Sequence, residues 1–188
     1  MLNPINFNFK KDIFAIILNQ ADITYYNGIN NPQNGKYSTL HIINYKWWEA
    51  KQNIILTGEP QSGKTTILAY IFNNAVNLEM QAFFYSVPYL LQHIINPVNR
   101  YSKGLTNHLK TVDLLLLDDF CTFRMNAKES DIFLEILKAR NGLRPTVLAS
   151  QHPTEKWKEI IDGRADEITN LLLEDAIKVN LKPFYEIF

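Results

Sequence analysis

Ile54-Ile55-Leu56-Thr57-Gly58-Glu59-Pro60-Gln61-Ser62-Gly63-Lys64-Thr65-Thr66 is the stretch whose reading decides the fold. Ile54–Thr57, apolar and β-branched, reads as a buried strand. Thr65–Asn77 reads as a helix, with Ile67, Leu68, Ile71, Phe72 and Ala75 at helical spacing. Between them stands G-x-x-x-x-G-K-T, which in a strand–loop–helix context cradles the phosphates of a nucleoside triphosphate. Gly58 and Gly63 allow backbone conformations closed to other residues and a close approach to the phosphates. The loop Gly58, Glu59, Pro60, Gln61, Ser62, Gly63 turns its N–H groups inward as an anion-binding nest. The helix behind it aims its positive dipole end at the same place. Lys64 is expected to reach the β- and γ-phosphates and the Thr65 hydroxyl to ligate Mg²⁺, with Thr66 beside it in the nucleotide site. A Gly-Pro turn before an unrelated helix is the alternative, and the flanking strand and helix argue against it.

The second motif is Val112-Asp113-Leu114-Leu115-Leu116-Leu117-Asp118-Asp119. An apolar run bounded by charge suits a fully buried parallel strand. Its acids then emerge at the carboxyl end, where ligands bind in open α/β sheets. Asp118 is expected to hold Mg²⁺, and Asp119 to act as general base on the attacking water. A third strand tip, Thr146-Val147-Leu148-Ala149-Ser150 followed by Gln151, offers two polar side chains for the γ-phosphate or the water. The pattern does not choose between Ser150 and Gln151.

Composition bounds the class. At 188 residues the chain suits one domain with a substantial core. Its 46% hydrophobic and 12% aromatic content fit a globular protein. No apolar run approaches the roughly 20 residues of a membrane span, and the N-terminus does not resemble a secretory signal. One cysteine, Cys121, excludes an internal disulfide framework and a multi-cysteine zinc site; a cytoplasmic setting is the simplest expectation. With 19 basic and 19 acidic residues, any nucleic-acid contact must come from a local patch.

The remaining stretches alternate. Residues 1–37 read as an Asn-rich extension and loop, with a helix over Asp12–Ala21, a turn-rich surface loop over Asn27–Gly35 and no room for a separate N-terminal domain. Residues 38–188 form the core. Ser38–Lys51 suggests a helix in which Trp47 and Trp48 read as core packing, an interaction role being the alternative. Gln81–Val87 reads as a strand and Pro88–Asn96 as a helix. Asn96–Thr111 is polar and reads as a loop; its Arg100, Lys103 and Lys110, with Tyr101 and His108 between them, could track a phosphate backbone, an ordinary solvated surface being the alternative that these residues alone favour. Lys128–Asn141 is an amphipathic helix. Trp157–Ile161 and Glu167–Leu173 read as short helices and Ala176–Leu181 as the fifth strand. Strand–helix alternation predicts an α/β three-layer sandwich around a parallel five-stranded sheet with right-handed crossovers.

With these residues in place, the chain resembles the AAA+ P-loop ATPases that include IstB-type transposition helpers and DnaC/DnaI-type helicase loaders. The resemblance covers about residues 38–181. It rests on Gly58-Glu59-Pro60-x-x-Gly63-Lys64-Thr65, on Phe83–Leu91, on Asp113–Asp119, and above all on Arg144-Pro-Thr-Val-Leu-Ala-Ser-Gln151-His-Pro-Thr-Glu-Lys-Trp157. It implies ATP and Mg²⁺ as ligands, DNA and a replicative helicase or transposase as partners, and a possible homo-oligomer; Gln151 or Ser150 would be the first γ-phosphate sensor. Three departures stand beside it. Leu171 occupies the place of the arginine that the family extends into a neighbouring subunit's site. No second-sensor arginine follows the last strand, Arg164 being a weak substitute, so no C-terminal lid is expected. An N-terminal adaptor domain is not recognised either, and Phe7, Phe9 and Phe14–Leu18 would have to grip a helicase in its stead.

Two functions compete. One is a slowly hydrolysing ATPase acting on DNA through a partner, slow because an arginine supplied to phosphoryl transfer is worth several powers of ten in rate. The other is a nucleotide-holding module with little turnover, favoured by the absent arginines and opposed by the intact Asp118 and Asp119. A nucleotide or small-molecule kinase lacks an acceptor-binding motif, and no Asn-Lys-x-Asp guanine reader favours GTP.

Overall fold

The computed structural model describes residues 22–26, 32–33, 46–95 and 100–183. The expected Asp12–Ala21 helix and the Phe7, Phe9 and Phe14–Leu18 segment lie outside these residues. The described elements are β1 (Asp22–Tyr26), β2 (Pro32–Gln33), α1 (Lys46–Glu49), β3 (Ile54–Gly58) and α2 (Lys64–Asn77). Next come β4 (Ala82–Ser86), α3 (Val87–Ile95), α4 (Arg100–Thr111), β5 (Leu114–Phe120) and α5 (Ala127–Arg140). The chain then runs through β6 (Thr146–Ser150), a 3₁₀ turn (Thr154–Lys156), α6 (Trp157–Ile160), α7 (Ala165–Leu173) and β7 (Ile177–Leu181).

The sheet order is β2-β1-β7-β3-β6-β5-β4. The five strands β7, β3, β6, β5 and β4 are mutually parallel, as the alternation predicts. β1 adds antiparallel to β7, and β2 to β1, so the sheet has seven strands among the described residues. Residues 22–26, read above as extension, are therefore part of the sheet, and Pro32–Gln33 breaks the expected Asn27–Gly35 loop. The polar stretch 96–111 is likewise not the expected loop. Arg100–Thr111 is helical, with Leu109 fully buried and Leu105 packed against the core from the preceding turn. Two apolar residues one helical turn apart anchor this helix, too sparse a stripe to show as periodicity.

Alternation along each strand divides the core into two layers. Ile54, Leu56, Leu114, Leu116, Val147, Ala149, Ile177 and Val179 face one side, where Ile67, Leu68, Ile71 and Ala75 of α2 and the fully buried Trp47 cover them. Ile55, Leu115, Leu117 and Leu148 face the other, beneath apolar residues of α3 to α7. There Phe120 stacks on Phe133 at 5.4 Å between ring centroids and meets Trp157 edge-on at 4.8 Å. The start of α5 is fixed by a capping box: Asn126 Oδ1 accepts from Glu129 N–H at 3.1 Å, and Asn126 N–H donates to Glu129 Oε2 at 2.8 Å.

Candidate nucleotide site

Each side chain singled out by the two motifs reaches the same end of the sheet, because β3, β5 and β6 are parallel and their carboxyl ends lie together. β6 lies between β3 and β5, so the phosphate loop and the acids flank one strand tip. Gly58 has φ 151, and a Cβ there would sit 2.5 Å from Leu181 O and 2.8 Å from Ser62 Oγ. Only glycine permits that approach of β7 and the loop. Gln61 and Gly63 are also left-handed, at φ 64 and 88, and Gly63 caps α2.

Lys64 is buried at the base of the loop. Its Nζ donates to Gly58 O and Glu59 O, each at 2.6 Å, and to Ser62 Oγ at 3.2 Å. Burial pushes its pKa down, and the charges of Asp118 and Asp119 oppose that push. Thr65 Oγ1 donates to Asp118 Oδ2 at 2.7 Å. Asp118 is buried and receives the Asp119 N–H on its other oxygen at 2.9 Å. Burial raises its pKa; those two hydrogen bonds and Lys64 pull it back, while Asp119 adds to the rise.

Asp119 owes its position to a β-bulge. Leu117 pairs with Leu148 and Phe120 with Ser150, so β5 carries Asp118 and Asp119 opposite Ala149 alone. The extra residue takes φ 59 at Asp119, a left-handed conformation that Asp tolerates better than most residues. Asp119 stays part-exposed, and Ser86 Oγ, from the tip of β4, donates to its Oδ2 at 3.2 Å.

The two residues after β6 are separated by their surroundings. Ser150 is fully buried; its Oγ donates to Phe120 O at 2.7 Å and accepts from His152 N–H at 3.2 Å. Gln151 is exposed, one residue beyond the Thr57–Ser150 pair and therefore level with Gly58. Leu171 lies on α7, half-buried against the core, and its carbonyl accepts from Asn53 Nδ2 at 3.2 Å. Arg164 is exposed and pairs with Asp131 at 2.8 Å and Glu167 at 3.1 Å. Lys110 pairs with Glu135. The side chains of Arg100 and Lys103 lie outside the description, although their backbone starts α4.

Ser86 was missed in the sequence because a lone serine at the end of a strand carries no signature of its own. Asn53 was missed for the same reason, though its side chain bonds Leu171 O and Leu172 O at 3.2 and 3.4 Å and Thr146 N–H at 2.9 Å. It ties the start of the phosphate-loop strand to α7 and β6. Among the described residues no cluster of three or more His, Cys, Asp or Glu side chains forms a metal cage, and no helix is long and apolar enough to cross a membrane.

A parallel sheet with an inserted strand between the phosphate-loop strand and the strand of the paired acids has the order of P-loop NTPases of the AAA+ and RecA type. The chain belongs to the IstB-like ATP binding protein family, whose match spans residues 17–181. It is 30% identical over 146 residues to a Sinorhizobium fredii protein named as an insertion sequence ATP-binding protein, covering 76% of this chain and 59% of the relative. The chain thus spans little more than half of that relative's length. Among solved structures, the DnaC helicase loader superposes with a TM-score of 0.61 at 16% identity, over 84% of this chain and 94% of that one. The replication initiator DnaA bound to AMPPCP and single-stranded DNA superposes with a TM-score of 0.59 at 23% identity, over 79% and 47%. At these identities the likeness is one of fold.

Proposed function

We propose that this chain binds ATP with Mg²⁺ and hydrolyses it slowly, switching a DNA-processing partner between two states. The observation that carries the reading is the Thr65–Asp118 hydrogen bond, which joins the phosphate loop to the acid strand and leaves Asp119 facing the same tip. Mg²⁺ takes hard oxygens and retains waters beside substrate phosphates, and a threonine hydroxyl with one carboxylate suits that preference. Once bound, the ion would neutralise charge developing on the β- and γ-phosphates.

Residue roles follow from the contacts. Lys64, whose three donors rest on Gly58 O, Glu59 O and Ser62 Oγ, transfers them to phosphate oxygens. Asp119 takes a proton from water as the water oxygen bonds to the γ-phosphorus and the bond to the ADP oxygen breaks. The Ser150 hydroxyl is committed to Phe120 O, so Gln151 is the γ-phosphate contact we assign. The DNA contact we assign to helix α4, with Arg100 and Lys103 on its first turns and Lys110 released from Glu135. The partner we favour is a transposase, since the 30% identical relative is named for an insertion sequence. The lower-identity likeness to a helicase loader keeps a replicative helicase as the competing partner.

A second reading, a nucleotide-holding module, is favoured by Leu171, whose side chain packs against the core where the family extends an arginine. The experiment is ATP turnover with Mg²⁺, alone and with single-stranded or duplex DNA, beside Asp119→Asn. DNA-stimulated turnover that disappears in the variant is expected. Tight ATP binding without turnover under every condition would overturn the hydrolytic reading in favour of the module.

A further inference from the structure

Away from the phosphate loop, a cavity of about 310 Å³ is lined by Trp48, Lys51, Asp113, Leu143 and Arg144. Its place in the fold follows from the chain. Lys51 precedes β3, Asp113 precedes β5 and Arg144 precedes β6, so the cavity lies at the amino ends of strands whose carboxyl ends hold the nucleotide site. Its size is at the lower end of the roughly 300–1,000 Å³ typical of small-molecule pockets, enough for one planar unit and its substituent.

We propose that this cavity binds a nucleotide unit, with a base against the Trp48 indole and its phosphate between Lys51 and Arg144. Trp48 is half-buried, and the fully buried Trp47 meets it edge-on at 6.3 Å and 86°, so the platform is held from beneath. Leu143, 61% exposed, supplies an apolar wall. Lys51 Nζ lies over the Trp48 ring, 5.1 Å from its centroid; on its flexible stem it swings aside as a base takes the ring face and keeps its charge at the cavity edge for the phosphate. The residue sits at φ 58, a conformation that glycine adopts more cheaply. Arg144 donates its backbone N–H to Arg140 O at 2.9 Å, while its guanidinium has no hydrogen bond or ion pair with another described residue; burial lowers the pKa of the nearby Arg140, and the Arg144 charge adds to that. Asp113 balances one of the two cations, and one of its oxygens is taken by Gln81 N–H at 3.0 Å; the other remains an acceptor for a base amino or imino group. The lining therefore combines a supported aromatic face, one net positive charge and one acceptor. A peptide carboxylate would use the cations and leave the indole face idle.

The base-plus-phosphate chemistry is shared by single-stranded DNA and a free nucleotide, and two probes distinguish them: a short fluorescein-labelled oligothymidylate, and thymidine 5′-monophosphate as its competitor. In the full chain, Trp48→Ala is expected to weaken oligothymidylate binding by about tenfold, the scale of a lost base stack, without changing its salt dependence. Trp48→Phe, which keeps a stacking face, restores most of the affinity. Lys51→Gln and Arg144→Gln, both exchanged at the surface, should each reduce the slope of log K against log salt by about 0.7 if they hold a phosphate. Displacement by the monophosphate identifies a free-nucleotide site, and its absence a strand site; either supports the proposal. Oligothymidylate binding that is absent, or identical in affinity and salt slope in all four variants, overturns it. Lys64→Ala separates this site from the phosphate loop. The variant loses ATP but keeps oligothymidylate, and loss of both would place the contact at the loop and overturn the proposal.

Discussion

Thr65 Oγ1 donates to Asp118 Oδ2 at 2.7 Å, joining residues 53 positions apart in the chain. The first residue opens α2 behind the phosphate loop, and the second ends the apolar run of β5. Removing either should damage one shared function. Thr65→Ala and Asp118→Ala are each expected to weaken Mg²⁺-dependent ATP binding by about ten- to a hundredfold, the loss that even an outer-shell partner of a metal causes. Titration with a fluorescent ATP analogue, with and without EDTA, checks this. Chelation should bring the parent down to the variants and leave the variants unmoved.

The same aspartate gives a pH dependence. Burial raises the Asp118 pKa in the folded chain, so the folded state binds the proton more readily than the unfolded state. Stability is then greatest below the unfolded carboxylate pKa and falls as pH rises through the raised folded value. Lys64 mirrors it: its folded pKa is lowered, so its charge costs stability at neutral pH, and the cost disappears only as pH rises above that folded value. Asp118→Asn is therefore expected to resist urea at least as well as the parent at neutral pH, by up to about 1 kcal/mol on the general scale of a buried polar group. The difference should vanish at acidic pH, where the parent aspartate is protonated too. A variant less stable than the parent at neutral pH would refute the argument.

Gly58 carries a steric prediction. A Cβ would stand 2.5 Å from Leu181 O, a backbone atom of the neighbouring strand that has no room to retreat. Gly58→Ala should cost on the order of 1–3 kcal/mol of strain and overpacking, and it should abolish ATP binding even in molecules that remain folded. Circular dichroism melts beside nucleotide titration separate the two effects.

Ser150 and Gln151 should part company. Ser150→Ala leaves Phe120 O and His152 N–H without their buried partner, at about 1–2 kcal/mol of stability. Gln151 is exposed, so Gln151→Ala should change stability by less than about 0.5 kcal/mol while lowering turnover by at least about tenfold, as loss of a transition-state contact does. Urea titrations and single-turnover rates on the same preparations test both halves. A Gln151→Ala variant with parental turnover would remove its assigned role.

What could be read from the sequence follows from how local the cause was. The strand, loop and helix around Gly58–Lys64 and the buried strand that carries Asp118 were legible because glycines, a lysine and charges bounding an apolar run set local structure in contiguous residues. Strand β1 was hidden because Asp22–Tyr26 pairs with β7, more than 150 residues away at Asp22–Asn180, and turn formers surround it. Helix α4 was hidden because only Leu105 and Leu109 mark its buried face. The different surroundings of Ser150 and Gln151 were not legible at all, since they depend on Phe120 O, a backbone atom placed by the β5 bulge.

Arg140 is equally hidden in the sequence. At the end of an amphipathic helix it reads as one more surface cation, yet it is 1% exposed. Its guanidinium donates to Leu109 O and Val112 O at 2.8 Å, Pro145 O at 2.7 Å and Thr146 Oγ1 at 3.1 Å. Leu109 O belongs to the last turn of α4, whose carbonyls lack helical partners, so one side chain satisfies acceptors from α4, the approach to β5 and the start of β6. Burial, with Arg144 nearby, lowers its pKa to about 9, Asp113 opposing; it remains charged at neutral pH. Arg140→Met keeps the aliphatic stem and strands those acceptors. The expected loss is about 3 kcal/mol or more, since each buried acceptor left without its donor costs about 1–3 kcal/mol. Because the residue lies at the amino ends of the strands, ATP affinity per folded molecule should not change. A urea midpoint that falls while nucleotide affinity holds would confirm an anchor, whereas a variant of parental stability would mean that water replaces the guanidinium.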